Sequence, residues 1–299
     1  MEKSFDKKLE TKRLIIYLLF SFGLAWIIFL VPVLKGFKWD GSKPDMESFV
    51  GLGMLAPLAA NVIARMITKE GFAMTGENSM MLGISFKSKK WMYYLFALFM
   101  PWLYTEISNA LTIMVFPEAY DANLYKAFGI DKGLIYFYPV IIIISAVICS
   151  FAALGEEGGW RAYMMPKLIK LMGKKKAFIL GGVIWGLWHA PLTCIGHNFG
   201  TDYPGFPYLG IAVMCVFCII MGIILTFVTA QTGSVWPAAF LHAVNNSQPS
   251  ALYFFTNQQV LNDSMPNPLI GWVFLLIPTA IIAIICLIVM LKRDCIYEK

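Results

Sequence analysis

The chain has 299 residues, of which 59% are hydrophobic and only 14% are charged, and its mean hydropathy is +0.68. A soluble domain has about 25% charged and about 45–50% apolar residues. The composition therefore excludes an ordinary soluble protein and predicts a large apolar surface that faces lipid. The formal net charge of +6 does not indicate a nucleic-acid partner, because the basic residues flank the apolar segments.

Eight apolar runs follow one another along the chain, most of them long enough for a helix that crosses a bilayer. They cover residues 14–34, 49–67, 91–116, 134–154, 177–195, 208–230, 235–252 and 269–291. The sequence therefore predicts an all-α, polytopic integral membrane protein with about eight transmembrane helices. We expect a single membrane domain over residues 1–299, with a motif-bearing core at about 134–252.

The positions of lysine and arginine predict the orientation of these helices. If the N-terminus is cytoplasmic, all but five of the 24 basic residues lie in segments on the cytoplasmic side. The five on the opposite side are Lys35, Lys38, Lys43, Lys126 and Lys132. Because basic residues accumulate on the cytoplasmic side of membrane proteins, the sequence predicts a cell-membrane protein with both termini in the cytoplasm.

The first polar motif, GEEGGWR at residues 155–161, follows the fourth apolar run directly. On a helix, Glu157 and Arg161 lie four residues apart on one face and can form an ion pair. Glu156 points about 100° away and is left as a carboxylate suited to act as a general base. The alternative is that both glutamates are solvated at the membrane interface.

The second motif, WGLWHAP at residues 185–191, lies within the fifth run and places His189 four residues after Trp185. A neutral imidazole there can transfer a proton or bind a metal, or it can be satisfied by a neighbouring backbone carbonyl. Gly182 and Gly186 form a GxxxG pattern, which predicts close packing on another helix.

The third motif, HAVNN at residues 242–246, lies within the seventh run. His242 and Asn246 share one face of a helix, and the amide of Asn246 can stabilise a developing oxyanion. The alternative is an interhelical hydrogen-bonded pair that contributes about 1 kcal/mol to stability.

The ordered series of a paired glutamate with arginine (EExxxR), an aromatic residue four before a histidine, and His-xxx-Asn resembles the CPBP family. This is the CAAX-protease and bacteriocin-processing group of intramembrane endopeptidases. The resemblance rests on Glu156, Glu157, Arg161, the pair Trp185 and His189, and the pair His242 and Asn246. Trp185 is a departure, since the family usually has phenylalanine there, and it affects the expected shape of the pocket.

The resemblance implies hydrolysis of peptide bonds in the membrane, on a peptide or protein substrate that carries a prenyl group in some members. Glu156 and His189 would activate a water, Glu157 and Arg161 would orient the base, and His242 with Asn246 would stabilise the oxyanion. No cofactor is required by these residues. The family is often called metal-dependent, and a zinc ion bound by His189, His242 and Glu156 is one alternative. A metal-free, glutamate-driven reaction is the other.

The depths of the motifs conflict in this scheme. Counting 1.5 Å per residue from the cytoplasmic ends, Glu156 lies close to the inner boundary and His189 lies roughly 15–20 Å deep. The motifs meet only if the fourth helix is tilted or continues beyond its apolar run, or if a water-filled cavity reaches them. Two non-enzymatic interpretations stay open: a transporter with an intramembrane polar site, and an immunity or scaffold protein.

Overall fold

A computed structural model describes residues 6–39, 44–148, 150–248 and 250–292, and helices account for most of these ranges. The α-helices are α1 Lys7–Leu34, α2 Pro44–Gly53, α3 Ala56–Thr68, α4 Trp91–Val115, α5 Lys132–Ile148, α6 Ser150–Gly159, α7 Met165–Met172, α8 Lys174–Trp188, α9 Ala190–Thr193, α10 Tyr208–Thr232, α11 Trp236–Ser247, α12 Gln258–Ser264 and α13 Leu269–Lys292. Within the described ranges, extended pairing is limited to an isolated bridge between Tyr120 and Thr256. The predicted all-α fold is confirmed.

Four helical segments are long and apolar enough to cross a membrane, namely Lys7–Leu34, Met46–Thr68, Tyr208–Thr232 and Leu269–Lys292. A fifth results if the bent pair Lys132–Ile148 and Ser150–Met172 is one span. The predicted count of eight is not confirmed. One reason is length, since α8 and α11 have 15 and 12 residues, and a full crossing needs about 20.

The bundle has an inner and an outer set of helices. More than half of the apolar window of α10 is buried, at 56%, whereas only 28% is buried in α1 and in α13. The outer helices expose large apolar side chains such as Leu19 and Ile27 on α1 and Ile285 on α13. Because such a surface is stable only against lipid, the protein is a membrane protein. Its first five and last seven residues lie outside the described ranges.

The path of the chain between residues 132 and 172 determines how far Glu156 lies from the end of its helix. The apolar run 134–154 does not form one helix: α5 ends at Ile148, and the segment Ser150–Met172 has an axis 59° away. That segment continues past the end of the apolar run through a π-helical turn, Trp160–Met164. Glu156 therefore lies about 24 Å from Met172 along the helix, so the fourth helix continues beyond its apolar run, as one of the expected solutions requires.

A tight turn aligns this segment with the next helix. Gly173 joins α7 to α8 with φ of +77°, a backbone conformation that residues with a Cβ rarely adopt. His189 follows α8, about 22 Å from its first residue. Because the two helical segments meet at the same turn, Glu156 and His189 lie at similar distances from Gly173, measured along their helices.

Close helix packing brings the motif-bearing helices together. A Cβ added to Gly155 would lie 2.6 Å from the carbonyl oxygen of Met54, so α6 contacts the backbone ahead of α3 directly. A Cβ on Gly186 would lie 2.5 Å from the Cα of Cys215, so α8 contacts the backbone of α10. The close packing that the GxxxG pattern predicts is therefore present, between α8 and α10.

Candidate active site

One cavity of about 1390 Å³ contacts residues of all three motifs. Glu156 from α6, His189 from the end of α8, and His242 and Asn246 from α11 line it. Four of the six predicted site residues therefore line the same water-accessible cavity.

The other two, Glu157 and Arg161, do not line the cavity and form a buried ion pair. Arg161 Nε lies 3.1 Å from Glu157 Oε2, and both side chains are at most 2% exposed. On its other side, Glu157 Oε1 lies 2.8 Å from His242 Nδ1. A buried charge is stable only when it is paired and hydrogen-bonded, so Glu157 connects the arginine on one element to the histidine on another.

Glu156 has a different environment, although it is adjacent in sequence. Its Oε2 accepts hydrogen bonds from the indole Nε1 of Trp185 at 2.7 Å and of Trp160 at 3.2 Å. These donors are neutral, so among the described contacts neither compensates the charge of the carboxylate. Only 2% of Glu156 is exposed, and it lines the cavity. A carboxylate held by neutral donors next to water-accessible space is available to take a proton.

Trp185 contacts four of the six predicted residues, more than its expected effect on the shape of the pocket requires. Besides donating to Glu156, its ring packs against the guanidinium of Arg161, with the Cζ atom 4.1 Å from the ring centroid. The same ring lies 5.9 Å from the ring of His189 and 5.6 Å from that of His242, centroid to centroid. The sequence attributed only pocket shape to this tryptophan. The hydrogen bond from its indole N–H is one that phenylalanine cannot make.

His189 is held in one tautomer by the backbone. Its Nδ1 lies 2.8 Å from the carbonyl oxygen of Trp185. A carbonyl oxygen only accepts, so Nδ1 carries the proton and Nε2 of the neutral ring keeps its lone pair. The hydrogen bond to a backbone carbonyl, which the sequence left open as the alternative to a functional role, is therefore present. This bond uses only Nδ1 and leaves Nε2 able to accept a proton.

Asn246 belongs to a short relay of side-chain hydrogen bonds that begins on α4. The hydroxyl of Tyr104 donates to Asn245 Oδ1 at 2.7 Å, and Asn245 Nδ2 donates to Asn246 Oδ1 at 3.2 Å. With its oxygen occupied as an acceptor, the amide nitrogen of Asn246 remains as a donor beside the cavity. Tyr104 and Asn245 had no predicted role, because the contact of Tyr104 joins residues 141 positions apart.

The arrangement does not fit the three-ligand zinc site that the sequence left open. Among the described residues, no group of three or more histidine, cysteine, aspartate or glutamate side chains is placed to hold a metal ion. The proposed reaction therefore uses the side chains alone.

Comparison with known proteins gives two matches. Residues 138–248, which contain all three motifs, match the family described as type II CAAX prenyl endopeptidase Rce1-like. The chain is also 36% identical over 63 residues to CAAX prenyl protease 2 of the archaeon Methanococcus maripaludis. That alignment covers 21% of this chain and 21% of the relative.

Proposed function

Because the segment that carries the three motifs matches the Rce1-like family of CAAX prenyl endopeptidases, we propose that the protein is an intramembrane endopeptidase of that type. Its substrate is a peptide or a protein segment that enters the cavity. The observation that carries the proposal is the environment of Glu156, a buried carboxylate with two neutral donors and a water-accessible face.

In the proposed reaction, Glu156 is the general base. Both described hydrogen bonds to its carboxylate go to Oε2, so Oε1 takes the proton of a water whose oxygen attacks the carbonyl carbon of the scissile peptide bond. The carbonyl π electrons move to its oxygen and form a tetrahedral oxyanion. The proton then passes from Glu156 to the departing nitrogen as the carbon–nitrogen bond breaks, which regenerates the carboxylate.

His189 and the pair His242 and Asn246 have supporting roles. Nε2 of His189 accepts a hydrogen bond from the attacking water, as a second base. The amide of Asn246 donates to the oxyanion, and so does Nε2 of His242 when that ring is charged. Glu157 stabilises the charged ring through the contact at Nδ1. Donors that are fixed before the reaction stabilise an oxyanion by about 3–4 kcal/mol each.

The orientation belongs to the same proposal. The lysine-rich start of α8, residues 174–176, and the basic segment 87–90 face the cytoplasm, and both termini lie on that side. The bilayer is then the second partner of the protein, in contact with the exposed apolar faces of α1 and α13. Recognition of a prenyl group on the substrate is a finer part of the proposal, which a pair of peptides with and without the lipid tests.

The decisive experiment replaces Glu156 by glutamine, which keeps the shape and removes the base. We expect cleavage of a quenched fluorescent peptide in proteoliposomes to fall by about 100-fold or more, with an unchanged thermal unfolding midpoint. The matched control is Glu118→Gln, an exposed glutamate outside the cavity lining, which should retain full activity.

The same preparation distinguishes the non-enzymatic interpretations. Full peptide cleavage by Glu156→Gln would refute the proposed base. Solute or proton flux by the unmodified protein, without cleavage of any peptide, would indicate a transporter instead. Binding of a partner protein without cleavage or flux would indicate an immunity or scaffold protein.

A further inference from the structure

Two hydrogen bonds mark one end of the bundle as the basic end. Lys90 Nζ donates to the carbonyl oxygen of Thr232 at 2.6 Å, and Lys174 Nζ donates to that of Met290 at 2.8 Å. The starts of α4 and α8 therefore lie level with the ends of α10 and α13. Lys167 joins the same end through Glu70, at 2.7 Å.

The cavity extends to the opposite end. Its lining includes seven residues of the loop 197–204 and seven of residues 261–268, which form the end of α12 and the connection to α13. It also includes Trp39, which follows α1, and Glu47 in α2. Asn198, Asp202 and Asn262 are lining residues that are exposed at the surface. No residue of the basic-end segments 69–90 and 172–176 lines the cavity. The mouth of the cavity therefore lies at the end of the bundle opposite Lys90, Lys167 and Lys174.

The charges of the wall define what can enter. The acidic lining residues are Glu47, Glu156, Asp202 and Asp263, and the described lining contains no lysine or arginine. A cleft with charges of one sign attracts the opposite charge and repels its own. A free carboxyl terminus therefore finds no lysine or arginine in the described lining, whereas a segment with positive residues finds four carboxylates there.

Since basic segments are retained in the cytoplasm, we infer that the cavity opens on the non-cytoplasmic side and takes neutral or cationic segments of peptides that are present on that side. The position of the mouth is independent of the reaction. The substrate class rests on the proposed endopeptidase function, and the two parts are tested separately.

The first test determines on which side of the membrane the mouth of the cavity lies. Asp202→Cys at the mouth and Lys175→Cys at the basic end replace exposed residues in the full chain. Intact cells are treated with a membrane-impermeant maleimide, and the unsubstituted protein gives the background from its native cysteines. We expect Asp202→Cys to be labelled in intact cells and Lys175→Cys only after permeabilisation. Labelling of Asp202→Cys only after permeabilisation would overturn the inference, whether or not the protein cleaves peptides.

The second test measures the charge preference. Peptides with one scissile segment are flanked by lysine or by glutamate, each with a free or an amidated carboxyl terminus. We expect at least tenfold faster cleavage of the lysine-flanked peptide, and a smaller ratio for the double substitution Asp202→Asn, Asp263→Asn. Equal rates for both flanks would overturn the charge preference. Failure to cleave any peptide would refute the proposed function while leaving the labelling result valid.

Discussion

Two clusters in this protein bury glutamates, and they differ in what surrounds the carboxylate. At the basic end, the side chain of Glu70 is fully buried and contacts Lys167 at 2.7 Å, the hydroxyl of Tyr163 at 2.5 Å and that of Thr68 at 2.8 Å. In the cavity wall, Glu156 is nearly as buried but has neutral indole donors and accessible volume beside it. Burial alone therefore does not distinguish the two glutamates; they differ in the charge of the groups that donate to them and in access to the cavity.

Glu157 shows that the two environments can be adjacent in sequence. It resembles Glu70 in having a cationic partner and no contact with the cavity, yet it follows Glu156 directly. The helical turn of about 100° per residue gives the two glutamates different contacts, and in the proposed reaction it separates the supporting residue from the base. The substitutions below test this distinction, from the largest expected effect to the smallest.

Glu157→Gln should have the largest effect, because it removes the charge partner of buried Arg161 and the contact of His242. Removal of one partner of a buried ion pair costs about 3–5 kcal/mol. We expect a lower unfolding midpoint and, at temperatures where the variant is folded, cleavage reduced by about 100-fold. Thermal unfolding and cleavage measured on the same preparation test both. Unchanged cleavage would mean that Glu157 does not support the site.

Glu70→Gln should match Glu157→Gln in stability and differ in activity. It removes one of the two charge partners of Lys167, the other being Glu10, and the charged acceptor of the Tyr163 and Thr68 hydroxyls, so we expect the midpoint to fall by a comparable amount. Because Glu70 lies outside the cavity lining, turnover of the folded fraction should stay within about twofold of the unsubstituted protein. A loss of turnover as large as that of Glu157→Gln would refute the distinction between the two clusters.

Glu70 also predicts how stability depends on pH. Burial alone would raise the pKa of this carboxyl, but the Lys167 charge and the hydrogen bonds from Lys167, Tyr163 and Thr68 lower it to about 2 from 4.5. A lowered folded-state pKa gives a contribution to stability that is full above about pH 4.5 and is lost as the pH falls towards 2. Between pH 5 and pH 3 the unfolding midpoint of the unsubstituted protein should therefore fall further than that of Glu70→Gln. Parallel decreases would contradict this account.

Trp185→Phe should have an intermediate effect on activity. It removes one of the two donors to Glu156 Oε2 and keeps an aromatic ring against Arg161, His189 and His242. We expect about a tenfold decrease in kcat, which corresponds to about 1.4 kcal/mol, with little change in KM or in the unfolding midpoint. Trp188→Phe is the control, since the indole of Trp188 donates to the carbonyl of Ser21 and not to Glu156. An equal loss in both variants would indicate a packing effect.

Lys170→Ala should have the smallest effect. Lys170 pairs with Glu77 at the basic end, but the two side chains are 27% and 62% exposed. Exposed pairs contribute less than about 1 kcal/mol, so the free energy of unfolding should change by no more than about 0.5 kcal/mol. A change as large as that of Glu70→Gln would show that exposure does not separate the two kinds of pair.

The sequence by itself determined the features that depend on local geometry. The apolar composition required a lipid-facing helical protein, and the spacing of four placed Glu157 against Arg161, because both follow from the energetics of one helix. It also separated Glu156 from Glu157 by direction. The roles of these residues in catalysis stay a prediction.

The tertiary structure decided the features that join distant segments. The end of the apolar run at residue 154 did not mark the end of the helix, since the helical segment continues to Met172 and holds the Glu157–Arg161 ion pair within it. The contact of Glu157 with His242 spans 85 residues, and the bond from Trp185 to Glu156 spans 29. Hydropathy and spacing report the energy of one segment in lipid, whereas these contacts depend on how segments pack against each other. The same reason hid the Glu70 cluster, whose members are polar residues that lie far apart in the chain.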